Sequence, residues 1–238
     1  MTLSRTQIDK LGDRLRRDEI PTDDDLRLLS EFREDRRSAM EAIGSGLGEI
    51  VGTPPAGRLK TINSIVDKLR RESARLSQVQ DIAGLRVVRD MSRPEQDELV
   101  SRIIARLPDS KVFDRRANPS HGYRAVHVVA TVDRHLVEIQ VRTELQHRWA
   151  LLVERFASAW GQQIKYGGVP NDPDAVVDGS TRRELTARLA SLSSTVDLAE
   201  QDVPVRLRQH LADDLFVSGV EARMWATRWL AIMDRVAL

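Results

Sequence analysis

Apolar residues recur at helical spacing over the first fifty positions. Leu26, Leu29, Phe32 and Met40 begin a stripe that Ile43, Leu47 and Ile50 continue, and the region reads as two helices. Thr22, followed three residues later by Asp25 with Pro21 just outside, marks a helix start close to a capping box. The segment VGTPPAG at 51–57 cannot continue a helix, because its prolines remove donors and its glycines relax the backbone. A helix from about 60 to 76 is expected next, with Ile62, Ile65, Leu69 and Leu76 on its apolar side and Lys60, Ser64 and Lys68 spaced by four along another.

The pattern then changes. GLRVV is a short branched run opened by glycine and closed by charge, which predicts a buried strand. Ser92 and Glu95, with Pro94 between them, open a helix to about 107. KVFDRR predicts a second strand, RANPSHG a loop, and 123–143 a hairpin turning at Asp133 and Arg134. In its second arm Val137, Ile139 and Val141 share one face, while Glu138, Gln140 and Arg142 share the other. Thr143 and Gln146 form another capping box, with Leu145, Trp149, Leu152, Phe156 and Ala159 expected on the buried side of a helix to about 164. YGGVPNDPD ends it. One helix to about 198 follows, then one or two more carrying Leu207, Leu211, Leu215, Trp225, Trp229 and Leu230. The class is α+β: a mixed sheet of four to five strands surrounded by helices. Three stretches are expected: a helical segment at 1–50, a core at 51–168 and a helical segment at 169–238.

Composition narrows the function. With 41% hydrophobic and 31% charged residues among 238, the chain reads as globular, and no apolar run is long enough for a membrane span. The charged N-terminus is unlike a secretory signal, and the lack of cysteine excludes disulfides and thiolate metal sites. A cytoplasmic location is expected. The net charge of +1 says nothing about nucleic acid, but 51–75 holds a local excess of four positive charges.

Several residues stand out chemically. Asp81, just before the GLRVV strand, either caps a turn or works with Glu138, which interrupts an apolar strand. Together the two acids could hold Mg²⁺, a hard cation that takes carboxylate and phosphate oxygens. Arg58, Lys60 and Lys68 are suited to gripping a polyphosphate, although no GxxxxGK[ST] loop is present. Tyr123 either stacks on a base or packs over the sheet edge, and His127 reads as a satisfied structural histidine.

In order and spacing these pieces resemble the synthetase domain of the RelA/SpoT family. GRLKTINSIVDKLRR is similar to its ATP-gripping segment, and QDIAGLRVV to its metal-binding aspartate strand. HGYRAVH resembles its acceptor loop, and VEIQVRTELQHRWA its catalytic glutamate strand. The resemblance implies a nucleotidyltransferase-like fold. It places Arg58, Lys60 and Lys68 on ATP phosphates, Asp81 and Glu138 as catalytic and Mg²⁺-binding residues, and Tyr123, His127, Gln140 and Arg142 on the acceptor. The implied reaction is attack by a 3′-hydroxyl on the β-phosphorus of ATP, releasing AMP. The length leaves no room for the hydrolase domain or regulatory tail of the long enzymes, so product hydrolysis is not expected. Glu154-Arg155 replaces a common Glu-His pair, and IKYGGVP is similar to toxic small synthetases. That subtype implies the tRNA 3′ end as acceptor ahead of GDP or GTP, and an antitoxin as a partner; the reading from a different class is a catalytically inactive RNA-binding module that keeps the fold. Arg115, Arg116, Arg182, Arg183 and Arg188 would then serve as an RNA-backbone surface. Trp225 and Trp229 would pack on the core or meet an antitoxin or second subunit. The oligomeric state is left open.

Overall fold

The computed structural model describes residues 3–17, 20–177 and 179–201. The expected helices around Leu207 to Leu230 lie outside the described residues. Those described form two compact units that interleave along the chain. The first comprises residues up to Val87, then Leu99–Phe113 and His127–Val141; the second comprises Val88–Glu98, Asp114–Val126 and the residues from Arg142 onward.

The first unit opens with three helices rather than two: α1 (Arg5–Arg16), α2 (Asp23–Glu34) and α3 (Arg37–Val51). Thr22 caps α2 by accepting from the Asp25 N–H, as its position suggests. The Asp25 carboxylate does not complete the box, however. It is buried and accepts from Arg14 Nη2 at 2.6 Å and Nε at 2.8 Å, tying α2 to α1. The α2–α3 break has no proline or glycine. Asp35 and Arg36 both keep right-handed helical dihedrals, so nothing in the residue pattern marks the kink. Gly12 lets α1 approach closely: a Cβ there would lie 2.7 Å from Leu76 Cβ. Leu11, Leu15, Leu29, Phe32, Ile65, Leu69, Leu76 and Ile82 make the core under this face.

The five-stranded sheet runs β1-β2-β5-β4-β3, from β1 (Ala56–Leu59), β2 (Ala83–Arg89), β3 (Lys111–Asp114), β4 (Val126–Val132) and β5 (His135–Thr143). β1 was not foreseen, because four residues with only Leu59 buried carry no alternation. It pairs antiparallel with β2, Arg58 opposite Gly84. The following helix, α4, is shorter than expected, spanning Ile62–Arg71 with Thr61 as its cap; Lys60 therefore precedes it. The hairpin turns where expected, with Asp133 at φ 48° and Arg134 at φ 68° matching the strand twist without glycine.

The second unit is built on α6 (Glu144–Trp160) and α7 (Arg182–Glu200), with α5 (Arg93–Arg106) beginning in it and a two-stranded ribbon, β6 (Val176–Val177) with β7 (Ser180–Thr181), leading into α7. Both expected capping boxes, Ser92/Glu95 and Thr143/Gln146, are present. Helix α6 stops at Trp160; Ala159 is exposed, and Ala157 and Trp160 are buried in its place. Gly122 has φ 85°, and a Cβ there would meet Trp149 Cζ2 at 2.7 Å. Gly122→Ala is therefore expected to cost about 2–4 kcal/mol, from the left-handed dihedral and the clash together, read as a lower urea midpoint at unchanged slope.

Candidate functional site

In the first unit the β1–α4 connection and the turn before β2 place three charges together. Lys60 Nζ lies 2.9 Å from Asp81 Oδ2, and Lys68 Nζ lies 3.0 Å from Asp81 Oδ1. The two lysines do not share a helix face, as their spacing suggested. Lys60 follows the edge strand, its N–H bonded to Ile82 O at 2.8 Å, while Lys68 reaches from the last turn of α4. Burial pushes the Asp81 carboxyl up, but the charges and hydrogen bonds of Lys60 and Lys68 outweigh this and hold it below its ordinary value. Arg58 stays exposed on β1.

Glu138 sits one strand over. An ideal Cβ on Gly84 would lie 3.8 Å from both Arg58 O and Glu138 O, so the three backbones run abreast. Whether the charged face of β5 is covered was open from the sequence; Glu138 is 8% exposed, so it is. Its oxygens are satisfied: His127 Nδ1 lies 2.9 Å from Oε1, and Gln140 Nε2 donates to Oε2 at 2.8 Å. Burial again pushes this carboxyl up, and His127 and Gln140 bring it below its ordinary value against a smaller upward push from Asp81. His127, from the neighbouring strand, and Gln140, two residues along the same strand, both hold the Glu138 carboxylate, a contact that the sequence reading did not single out.

A pH dependence follows for Asp81. Its native value is depressed, so its contribution to stability is full above the ordinary 3.8 and is lost as pH falls through the lower native value. The stability gap between the native protein and Asp81→Asn should be constant near neutrality and close in that acidic window, measured by urea unfolding across pH.

In the second unit Tyr123 is half-buried against the α6–α7 core. Its hydroxyl accepts from Arg142 Nη2 at 2.9 Å, and the guanidinium carbon lies 5.0 Å from its ring centroid. Arg124, which the sequence did not single out, donates to Ser193 Oγ at 3.1 Å, and Ser193 in turn donates to Gly122 O. The acceptor-like loop is thereby tied to α7.

The arginines proposed for RNA divide. Arg116 is buried, and its guanidinium is committed to Asp114, Asp97 and Gln96, which corrects the expectation that it forms part of an open cationic surface. Arg182 lies over Trp160 and bonds Asn171 O and Asp172. Arg188 is half-buried; Arg115 and Arg183 are exposed, the latter 3.5 Å from Asp174.

Asp81 and Glu138 fit Mg²⁺ in donor chemistry: both are oxygen donors held ionised, and Mg²⁺ often takes one or two carboxylates beside phosphate oxygens. Among the described residues no cluster of three His, Cys, Asp or Glu forms a self-sufficient metal cage. No helix among them is long and apolar enough to cross a membrane.

The family model described as the region found in RelA / SpoT proteins matches residues 57–157. An uncharacterized protein of Mycobacterium tuberculosis is 34% identical over 148 residues, covering 61% of this chain and 54% of the relative. The GTP pyrophosphokinase YjbM of Bacillus subtilis is 35% identical over 142 residues, covering 53% and 60%. The chain thus spans between about half and three-fifths of the length of these relatives. The crystal structure of the small alarmone synthetase 1 from Bacillus subtilis is similar at TM-score 0.54 and 25% identity, covering 78% of this chain and 94% of that one. The same enzyme bound to its product pppGpp gives TM-score 0.57 at 24% identity, covering 78% and 99%, a likeness of fold. The chain therefore has the α+β fold of small alarmone synthetases and carries, over residues 57–157, the region found in RelA / SpoT proteins.

Proposed function

We propose that this chain transfers the β,γ-pyrophosphate of ATP to the 3′-hydroxyl of GDP or GTP. The observation that carries the reading is the Asp81 carboxylate bracketed by Lys60 and Lys68, beside a buried, ionised Glu138. In the reaction the acceptor oxygen bonds to the β-phosphorus, the bridge from that phosphorus to the α-phosphate oxygen breaks, and AMP leaves with the bridging oxygen. The hydroxyl proton leaves to solvent water. Lys60 and Lys68 exchange their carboxylate partner for phosphate oxygens, and exposed Arg58 adds a forked donor. Asp81 and Glu138 would hold Mg²⁺, which when bound would supply positive charge against the crowded phosphate oxygens.

A carboxyl held below its ordinary value is a weak proton acceptor at neutral pH. Glu138 therefore serves best by holding the cation and orienting the acceptor hydroxyl, with His127 fixing its rotamer. Tyr123, braced by Arg142, offers a ring face for the acceptor base.

The case for the tRNA 3′ end is thinner once Arg116 and Arg182 are engaged internally, and the relative named GTP pyrophosphokinase favours a guanosine acceptor. The test supplies ATP labelled in its β- and γ-phosphates with GDP, GTP and tRNA in parallel, with Mg²⁺. Label in the guanosine nucleotides with equimolar AMP is expected. Label in tRNA alone would replace the acceptor, and label in none would overturn pyrophosphate transfer.

A further inference from the structure

A cavity of about 880 Å³ lies wholly within the first unit, lined by the start of α1, the α2–α3 kink, the turn after residue 76 and the β4–β5 hairpin. None of Arg58, Lys60, Lys68, Asp81 or Glu138 lines it. Its most unusual member is Arg36, 7% exposed. The guanidinium carbon of Arg36 sits 3.4 Å from the Phe32 ring centroid, and Nη1 donates to Phe32 O. Nε is buried without a hydrogen-bond partner, and among the described residues no carboxylate lies within ion-pair distance of the side chain. Burial pulls its value down to about 10, with neighbouring Asp35 pushing weakly the other way. A cation desolvated this far and left without a counter-charge is costly unless something else supplies one.

The rest of the lining supplies suitable donors. Ser77 Oγ is also buried without a partner. Arg5, Lys111 and Arg134 bring further positive charge, against Asp35, Asp109 and Asp133. The first turn of α1 opens onto the same space, and its N–H groups carry the positive end of the helix dipole. Leu3, Ile8 and Leu136 leave part of the wall apolar.

We infer that this cavity is a second ligand site, separate from the Asp81–Glu138 centre, which takes a small phosphate-bearing anion with Arg36 as its principal contact. A phosphate offers several acceptor oxygens on one centre, enough to meet the Arg36 guanidinium and further donors of the lining together. A planar carboxylate has only two oxygens to share. The volume admits a group as large as a nucleotide.

His135 lines the cavity and reports on it. Burial lowers its value first, then the charge of Arg36; Asp35 and Asp133 oppose this, and Arg134 lowers it slightly. An anion seated on Arg36 would offset that cation and raise the value. The experiment follows the His135 ring signals by NMR while inorganic pyrophosphate is added to the full chain, with citrate in a parallel arm. Saturable shifts of His135 and an upward move of its titration midpoint are expected with pyrophosphate. Arg36→Gln should weaken the binding by roughly 10- to 100-fold, the loss of a charge-assisted contact. Lys60→Ala with Lys68→Ala should leave it unchanged, which separates this site from the proposed catalytic one. Should Arg36→Gln not fold, Arg5→Gln combined with Lys111→Gln is the substitute and should weaken binding by about 3- to 10-fold. Equal response to citrate would replace the phosphate class with anions in general. No saturable His135 shift, or one unaltered by these substitutions, overturns the site.

Discussion

Glu138→Gln should lower AMP release and acceptor labelling by roughly a thousandfold while the affinity for a non-hydrolysable ATP analogue changes by no more than about threefold. The substitution keeps the side chain's shape and removes its charge. Glu138 is buried and held by His127 and Gln140, so the amide has little freedom to find another arrangement. What disappears is the anionic oxygen that would hold a cation and accept from the attacking hydroxyl. Because the cations proposed to grip ATP lie on β1, its connection to α4 and α4 itself, binding of the donor should survive. Turnover within tenfold of the native enzyme would sink the assignment. His127→Asn should show a smaller loss than Glu138→Gln, since it removes only the brace.

Asp81→Asn should separate binding from turnover in the opposite direction. Both lysines are paired with this one carboxylate at 2.9 and 3.0 Å. A triphosphate must therefore compete with Asp81 for them. Removing the charge removes the competitor, so ATP-analogue affinity is expected to hold or tighten by a few-fold. The rate should fall by about a hundredfold or more through loss of a cation ligand. Lys68→Met is the contrast, with affinity dropping about tenfold. If Asp81→Asn and Lys68→Met instead weaken binding alike, the three side chains act as a structural clasp only. Calorimetry of the analogue, set beside single-turnover rates, distinguishes the two outcomes.

Much of this arrangement was legible in the chain. The alternation through β5 separated Val137, Ile139 and Val141 from Glu138, Gln140 and Arg142 because a strand has a strict period of two. Capping signals at Thr22, Ser92 and Thr143 marked three helix starts because the Ser or Thr oxygen meets a local backbone N–H. Failures cluster where long-range packing decides. The α2–α3 kink involves residues with helical dihedrals, and β1 exists through its pairing with β2 rather than through its own pattern. The same distance hid the chemistry: Lys60 and Lys68 meet through Asp81, thirteen and more residues away, and not through helical spacing. Arg116 shows the limit of counting cations, since a charge in the sequence carries no sign of being already neutralised.

The interleaving of the two units has a practical consequence. The boundary between them is crossed after Val87, Glu98, Phe113, Val126 and Val141, so no single cut yields either unit as one continuous piece. Recombining this chain with a relative at one junction between Val88 and Val141 would split both units at once. Exchange of acceptor preference between homologues should therefore proceed by grafting individual side chains, and libraries built by single-crossover shuffling should return mostly unfolded progeny.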